Sequence, residues 1–191
     1  FLNECQGGFA LGEKEYYFDT DEATTRIRNE YRKHVARMFS LFGYADADAK
    51  AETVLRLETR LAGAAFNNVE LRDPQANYNK MSVAELQELV PQVDWKTYFA
   101  AMNIAPDSLS VGQVRHLQEA GKMLAEEPLE DLKTLFTWQA IDGCASYLTS
   151  EIYAENFNFY GKVLSGREEP SPLWKRAVGI VNGTLGEAVG Q

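Results

Sequence analysis

The stretch that decides the fold class reads Ala51-Glu52-Thr53-Val54-Leu55-Arg56-Leu57-Glu58-Thr59-Arg60-Leu61-Ala62. Apolar side chains recur in it at the spacing that places them on one face of an α-helix. The pattern predicts a helix from about Asp48 to Ala65, and one member of its buried face, Glu58, is a carboxylate. A buried carboxylate needs a partner. We therefore expect Glu58 to form a buried or half-buried ion pair, for which an arginine of a neighbouring helix is a candidate.

Helical periodicity extends over most of the 191 residues. The other predicted helices run from Thr20 or Asp21 to Gly43, from Ser82 to the residue before Pro91, from Trp95 to Met102, from about Gln113 to Glu126, from Pro128 to Gly166 with or without a kink near Gly143 or Thr149, and from Pro172 to Ala188. Residues 1–15 and 67–81 are predicted loops, and residues 108–111 a brief extended piece. We predict an all-α, irregular multi-helix fold of about seven or eight helices with strand content near zero, and residues 1–191 as a single helical domain.

Charge and composition exclude several classes of function. The formal net charge is −9, whereas a nucleic-acid partner requires a surface rich in Lys and Arg, so we predict no nucleic-acid binding. No apolar run is long enough to span a membrane, so no membrane segment is predicted. Cys5 and Cys144 lie far apart and form no CxxC pair. Two isolated thiols are expected, although a single long-range disulfide stays open.

The two ends of the sequence carry no targeting information. The chain begins at Phe1 and not at Met, and it ends at Gln191 directly after an amphipathic stretch. No basic segment followed by an apolar one, the mark of a signal peptide, is present. We expect both ends to be cuts in a longer polypeptide, so localisation is not readable from these residues.

Residues that could hold a metal or carry out catalysis are scarce. Zinc needs three or four converging His, Cys or carboxylate ligands, whereas the only two histidines, His34 and His116, are far apart and no His-Glu-x-x-His occurs. We expect both histidines at the surface or its boundary. Cys144 falls on an apolar helix face, where a buried, inert thiol is expected. Glu126 and Glu127 are expected to be solvated and not an acid/base pair.

Short motifs are spread along the chain in a fixed order. They are Gly7-Gly8-Phe9-Ala10-Leu11-Gly12 with Glu15-Tyr16-Tyr17, Leu57-Glu58-Thr59-Arg60-Leu61-Ala62, Arg72-Asp73-Pro74 with Tyr78-Asn79-Lys80-Met81, Val93-Asp94-Trp95, Phe157 with Tyr160-Gly161, Trp174-Lys175-Arg176, and Val181-Asn182-Gly183-Thr184-Leu185-Gly186-Glu187-Ala188-Val189-Gly190. Together they resemble the neprilysin / endothelin-converting-enzyme family of zinc metallopeptidases. Each motif is weak alone, whereas their shared order covers essentially the whole chain.

The resemblance implies a two-lobed parent enzyme. In that family one lobe is thermolysin-like and carries the zinc, and the other is helical and forms a lid over the active-site chamber, which limits substrates to peptides. The chain resembles the helical lid lobe, so the zinc ligands and catalytic residues would lie in a C-terminal catalytic lobe outside this sequence. The implied parent is a zinc metalloendopeptidase acting on peptides. No catalytic or metal-binding residue, bound zinc or peptidase activity is expected in this fragment alone.

The motif residues have structural roles if the resemblance holds. Arg72 and Asp73 are expected to pin their loop by hydrogen bonds, and Pro74 to fix its turn. Tyr78 and Asn79 are expected to anchor the entry to the capped helix that follows. None of these residues is expected to be catalytic or to bind a metal, and which residues bind the substrate or line the chamber stays unknown from the sequence.

Two departures from the family's pattern indicate a bacterial member. After the Trp174-Lys175-Arg176 motif, Ala177 stands where the animal enzymes have Cys. Leu11-Gly12 stands where the family has Leu-Pro. The family also implies an extracytoplasmic location, either periplasmic or at the cell surface.

Two hypotheses about function follow. The first is the lid lobe of a zinc endopeptidase, whose partner is the missing catalytic lobe and which would expose an apolar patch that this lobe normally covers. The second is a helical protein–protein interaction module without peptidase activity, since a fold alone does not fix a function. A His-Glu-x-x-His encoded within the following few hundred codons after Gln191 would decide for the first.

Overall fold

A computed structural model of the chain describes residues 2–190, so Phe1 and Gln191, at which the sequence analysis expected cuts, lie outside the described residues. Helices dominate this part of the chain. The α-helices are α1 (Glu15–Phe18), α2 (Glu22–Leu41), α3 (Ala47–Ala64), α4 (Val83–Leu89), α5 (Trp95–Ala101), α6 (Val114–Glu126), α7 (Leu129–Cys144), α8 (Ser150–Asn156) and α9 (Leu173–Val189). Shorter helical pieces are the 3₁₀ turns Glu70–Arg72 and Ala145–Tyr147 and the π-helix Phe157–Leu164, which continues α8. The predicted all-α fold class is confirmed.

Helix ends fall where the sequence places its caps. The Asp21 carboxylate accepts a hydrogen bond from the Thr24 amide at 3.0 Å, and α2 is followed by Gly43 in the left-handed region with φ 84°. Ser82 and Glu85 form the predicted capping box, in which each side chain accepts a hydrogen bond from the other residue's amide. These contacts satisfy backbone groups that a helix end leaves unpaired. The ends of α2 and the start of α4 are therefore fixed by local sequence.

The long helix predicted from Pro128 to Gly166 is interrupted. Its first part, α7, ends at Cys144 and passes into the 3₁₀ turn Ala145–Tyr147. A new helix starts after Thr149, whose hydroxyl accepts a hydrogen bond from the amide three residues on. With this break and the one-turn α1, residues 2–190 contain nine α-helices, more than the seven or eight predicted.

A small sheet joins three segments that are distant in sequence. Its strands are β1 (Leu2–Glu4), β2 (Asn79–Ser82) and β3 (Ser108–Val111), in the order β1-β3-β2. The central strand β3 pairs in parallel with β1 and antiparallel with β2. The residues predicted as a brief extended piece thus form the central strand, whereas both edge strands lie in segments predicted as loops.

Apolar side chains form two cores. The larger core lies among α2, α3, α7 and the π-helix, and its members without exposed surface include Tyr31, Met38, Phe39, Leu57, Leu135, Trp138 and Phe159. The smaller core lies between the sheet and α4 to α6, and it includes Leu86, Val90, Trp95, Phe99, Leu109 and Val111. Each large apolar side chain contributes about 1.5–3 kcal/mol when fully buried. The arrangement of α2, α3 and α7 therefore depends mainly on the larger core.

Candidate functional site

Glu58 lies inside the larger core, where only 1% of its surface is exposed. Its carboxylate accepts hydrogen bonds from the hydroxyls of Tyr17 and Tyr31, each at 2.8 Å. The Tyr31 hydroxyl in turn accepts a hydrogen bond from Nε1 of Trp138 at 2.9 Å, and the Tyr17 hydroxyl accepts one from the Leu11 amide at 3.2 Å. Glu58, Tyr17, Tyr31 and Trp138 are called the tyrosine cluster below. The cluster connects the N-terminal segment with α2, α3 and α7.

The expected arginine is not the partner of Glu58, because both side-chain partners are tyrosine hydroxyls. Burial raises the pKa of Glu58 to about 7, although the hydrogen bonds from the two tyrosines lower it. Neutral donors satisfy the carboxylate oxygens but bring no compensating positive charge, so desolvation dominates. The sequence located the buried carboxylate but missed its partners. The only available signal was Tyr17, which belongs to the first family motif.

Both histidines are buried, contrary to the expectation from the sequence. His34 exposes none of its surface, its ring stacks on Phe159, and its Nδ1 lies 2.9 Å from Oε1 of Glu155. The same carboxylate oxygen accepts a hydrogen bond from Nε of Arg37 at 2.8 Å. His116 on α6 is 5% exposed, and burial lowers its pKa. A single histidine adds nothing to a hydrophobic periodicity, so its burial cannot be predicted from the sequence. The burial depends on the packing of helices that are distant in sequence.

The described part of the chain does not fit a zinc centre. Nowhere in residues 2–190 do three or more His, Cys, Asp and Glu side chains converge in a way that could hold a metal ion. His34 and His116 stand on different helices, and Nδ1 of His34 already faces Glu155. No catalytic step through zinc is therefore derived from these residues.

Five of the motif residues lie in the loop before β2 or at the first position of that strand. The Asp73 carboxylate accepts hydrogen bonds from the backbone amides two and three residues on, at 2.9 and 3.2 Å. Asn79 donates from Nδ2 to the carbonyl of Val111 at 2.9 Å, which joins the end of the loop to β3. The remaining three, which share an exposed position, are Arg72, Pro74 and Tyr78. Asp73 and Asn79 thus shape the loop and its junction with the sheet.

Two arginines of α3 bind carboxylates that follow or belong to α6. Arg60 contacts Glu119, Glu126 and Glu127 at 2.7, 2.5 and 2.7 Å, and Arg56 contacts Glu127 at 2.7 Å. We call these five residues the α3 ion network. Glu126 is solvated as expected, with its side chain 60% exposed, whereas Glu127 is largely buried, because the packing of α6 on α3 brings it to both arginines.

Helix α9 lies on the surface with an apolar stripe directed to solvent. Trp174, Val178, Val181 and Leu185 follow one another at helical spacing and are 65%, 50%, 43% and 55% exposed. These four residues are called the α9 stripe. Contiguous exposed apolar surface of this kind marks a site of contact with another protein surface. The structure therefore contains a bare apolar patch, as the lid-lobe hypothesis predicts, and the motif residue Trp174 begins it.

The two cysteines agree with the sequence prediction in their state but not both in their exposure. Cys5 and Cys144 are free thiols, as expected, but Cys144 is exposed and not buried, because α7 ends at this residue and its apolar face ends with it.

Among the helices of residues 2–190, none combines the length and the apolar character that crossing a bilayer requires.

Residues 2–190 thus form a helical body that bears a bare apolar helix, α9. The profile of the N-terminal domain of peptidase family M13 matches residues 2–191. The chain therefore belongs to peptidase family M13, the neprilysin and endothelin-converting-enzyme family of zinc metallopeptidases.

Relatives of known name agree with this assignment. Mouse endothelin-converting enzyme-like 1 is 25% identical over 191 residues, which cover 97% of this chain and 24% of that protein. Neprilysin-2 of Drosophila melanogaster is 30% identical over 165 residues, which cover 82% of this chain and 21% of that protein. The chain thus spans about a quarter of the length of the curated relatives it matches.

Solved structures extend the likeness to the fold. Zinc metalloprotease Zmp1 of Mycobacterium tuberculosis in its open state is 34% identical and superposes with a TM-score of 0.93, over 98% of this chain and 30% of that chain. The same protease in complex with an inhibitor gives a TM-score of 0.92 at 34% identity, over 98% of this chain and 29% of that chain. The similarity to a bacterial enzyme agrees with the bacterial member that the sequence predicts.

Proposed function

We propose that this chain is the non-catalytic helical lobe of a zinc metalloendopeptidase, and that this lobe restricts access to the active-site chamber. Substrates of the parent enzyme would be peptides, which enter the chamber and are cleaved by residues outside this chain. Residues 1–191 would form one domain, whose partner is the catalytic lobe of the same polypeptide.

One observation carries this proposal. Nearly the whole chain superposes on a part of a zinc metalloprotease that amounts to 30% of that chain. A match confined to one part of a longer enzyme is expected of one lobe. The α9 stripe supports the same conclusion, because separated lobes expose the apolar surface that they bury together.

A wall that excludes folded proteins from a chamber must be stiff. The tyrosine cluster links α2, α3 and α7 through buried hydrogen bonds, and the α3 ion network links α3 with α6. A fully satisfied polar network in a core rigidifies the elements that it joins. The helices of this lobe are therefore suited to the proposed role of a rigid wall.

The full-length protein and the protein of residues 1–191 test the proposal together. We expect stoichiometric zinc and hydrolysis of short peptides for the full-length protein, measured by elemental analysis and a fluorogenic peptide. We expect neither for residues 1–191, with circular dichroism as the control for folding. Stoichiometric, tight zinc in residues 1–191 would overturn the proposal.

Restriction of access needs a separate experiment on the full-length protein. One cleavable sequence is presented either as a short peptide or inserted into an exposed loop of a folded carrier protein. We expect the peptide to be cut and the carrier to resist, while thermolysin, used as an open-site control, cuts both. Equal cleavage of both forms by the full-length protein would remove the gating role but leave the peptidase assignment intact.

The alternative function, a helical interaction module without peptidase activity, is favoured only by the exposed α9 stripe. It predicts no zinc and no hydrolysis in the full-length protein, which the first experiment measures. We further propose a periplasmic or cell-surface location, on the resemblance to the family, which fractionation of cells with an antibody to this chain would test.

A further inference from the structure

A polar cleft of about 510 Å³ lies between α9, the π-helix and the turn that precedes α8. Its lining contains two arginines, Arg167 and Arg176, together with the hydroxyl groups of Tyr147 and Tyr153. No aspartate or glutamate is among the described residues that line it. A cleft with two positive charges and no carboxylate is unusual in a chain of net charge −9.

Arg176 is partly withdrawn from water without gaining a carboxylate. Its guanidinium carbon lies 3.8 Å from the ring centroid of Tyr153. Its Nε atom is buried and meets no hydrogen-bond acceptor in the described part of the chain. Desolvation of a charged group is unfavourable unless a counter-charge or hydrogen bonds offset it. The environment of Arg176 is therefore incomplete within these residues.

Arg167 lies on the same cleft but is exposed to solvent. Its guanidinium carbon is 5.5 Å from the ring centroid of Phe157, and its Nη2 donates to the hydroxyl of Ser171 at 2.9 Å. Both guanidinium groups are thus oriented by an aromatic ring, unlike Arg56 and Arg60, which carboxylates hold. Arginine binds carboxylates with planar, paired hydrogen bonds. The ligand that fits this cleft is a carboxylate.

The surroundings of the cleft indicate where the carboxylate comes from. A neighbouring hollow shares Arg176 and continues along Leu173 and Ile180 of α9. Leu173 and Ile180 are 72% and 38% exposed, so apolar surface adjoins the arginines, whereas helical spacing places the α9 stripe on the other face of the same helix. Aromatic residues and arginine beside exposed apolar surface are the composition of interface centres. The chain covers only 21–30% of the length of the relatives named above. The parent enzyme of the proposed function would therefore supply further residues that could meet this cleft.

We propose that Arg167 and Arg176 receive an aspartate or glutamate side chain from the part of the same polypeptide that lies outside residues 1–191. This ion pair would orient the first turn of α9 when the α9 stripe packs on the other lobe. The inference rests on the proposed function, since it requires that this chain is one lobe of a longer protein.

Zero-length cross-linking of the full-length protein tests the inference directly. The Arg176→Lys variant places an amine in the cleft, and a carbodiimide joins an amine to a carboxylate only where the two are in contact. We expect mass spectrometry to find residue 176 linked to an Asp or Glu beyond residue 191. Arg167→Lys is a second variant with the same expected result. Arg72→Lys, at an exposed position of the motif loop, controls for non-specific coupling.

Each other outcome would overturn the inference. Links only to Glu168 or Glu169, which lie beside the cleft, would mean that the chain supplies its own carboxylate. A link to an added acidic peptide, with none to the polypeptide, would indicate a ligand site. If neither residue 176 nor residue 167 is cross-linked, while Lys175 forms the same cross-links as in the native protein, no carboxylate is present in the cleft. Zinc content and peptide hydrolysis of the same samples separate these outcomes from a failure of the proposed function.

Discussion

Tyr31 and Glu58 stand 27 positions apart in the chain, on α2 and α3, and their side-chain oxygens meet at 2.8 Å in the larger core. The same tyrosine hydroxyl accepts a hydrogen bond from Trp138 of α7 at 2.9 Å. All three side chains are buried, so none can exchange its partner for bulk water. One hydroxyl group therefore joins three helices inside the larger core.

Removal of that hydroxyl should destabilise the protein of residues 1–191. The Tyr31→Phe variant leaves Glu58 with one donor fewer and Trp138 with an unpaired buried N–H. We expect the free energy of unfolding to fall by about 2–3 kcal/mol, measured by urea denaturation. Tyr78→Phe, at a position that is 59% exposed, should change it by less than about 0.5 kcal/mol. Equal effects of the two substitutions would contradict the role of the cluster.

The stability of the lobe should fall as the pH rises through neutrality. Burial raises the pKa of Glu58 from 4.5 to about 7, so the folded state binds a proton that the unfolded state releases. The stabilising contribution of the protonated carboxyl is fully present below pH 4.5 and is lost as the pH passes about 7. Between these values the limiting slope is about 1.4 kcal/mol per pH unit.

The Glu58→Gln variant isolates this effect. Burial also raises the pKa of Asp142, which adds a pH dependence of stability with the same sign as that of Glu58. Burial lowers the pKa of His116, which adds a pH dependence of opposite sign. Both groups remain in the variant, so the difference between the two unfolding curves reports the ionisation of Glu58 together with its electrostatic coupling to Asp142. The variant should show a flatter dependence on pH from 5 to 8, whereas Glu88→Gln, at an exposed site, should follow the native curve. Parallel curves for native protein and Glu58→Gln would refute the assignment.

Loss of Arg60 should destabilise the contact between α3 and α6 in a salt-dependent way. Its side chain is 23% exposed and contacts three carboxylates. Arg60→Gln leaves these acids to repel one another, and we expect a loss of about 1–3 kcal/mol at low salt. Screening at 1 M salt should reduce the loss, because the Debye length there is about 3 Å. Arg72→Gln serves as the control, and a loss that salt does not alter would point to packing instead.

Two helical glycines should respond in opposite directions to alanine. A Cβ at Gly121 would overlap Cγ1 of Val90 and lie 2.9 Å from Oε1 of Gln92, whereas at Gly143 it would meet nothing within 4 Å. We expect Gly121→Ala to lower the unfolding free energy by about 1–3 kcal/mol through overpacking. Gly143→Ala should raise it by up to about 1 kcal/mol through helix propensity. Thermal unfolding of both variants measures the difference, and stabilisation by Gly121→Ala would be the contrary result.

The α9 stripe should make the protein of residues 1–191 associate with itself and bind a hydrophobic dye. Replacing Trp174 and Leu185 by serine removes the two most exposed side chains of the stripe. We expect this double variant to bind less dye and to sediment as a smaller species at the same concentration. Leu129→Ser, at a residue 65% exposed on α7, is the matched control. Undiminished association of the double variant would place the contact elsewhere.

Local chemistry made several elements predictable. Asp21, Ser82 and Asp94 each accept a hydrogen bond from an amide of the first turn, as their positions before apolar runs indicate. Periodicity located the helix that carries Glu58, and the order of motifs indicated the family. These signals lie within a few residues of one another, so a linear reading detects them.

Contacts between distant residues were not predictable in the same way. The edge strands β1 and β2 pair with β3 across 107 and about 30 positions, and neither contains enough residues to show a strand pattern. The partners of Glu58, the burial of His34 and the carboxylates around Arg60 all depend on helix packing. A sequence pattern shows which face of a helix is apolar, but not which side chain of another helix will face it.

The sequence by itself determined the helical class and the starts of α2, α4 and α5, because capping and periodicity act over one or two turns of chain, and the order of its motifs indicated the family. Only the tertiary structure decided that Glu58 binds tyrosines and not an arginine, and that α9 leaves its apolar stripe in solvent. Both outcomes depend on which surfaces meet in three dimensions, and the meeting of surfaces is a property of the whole packed chain.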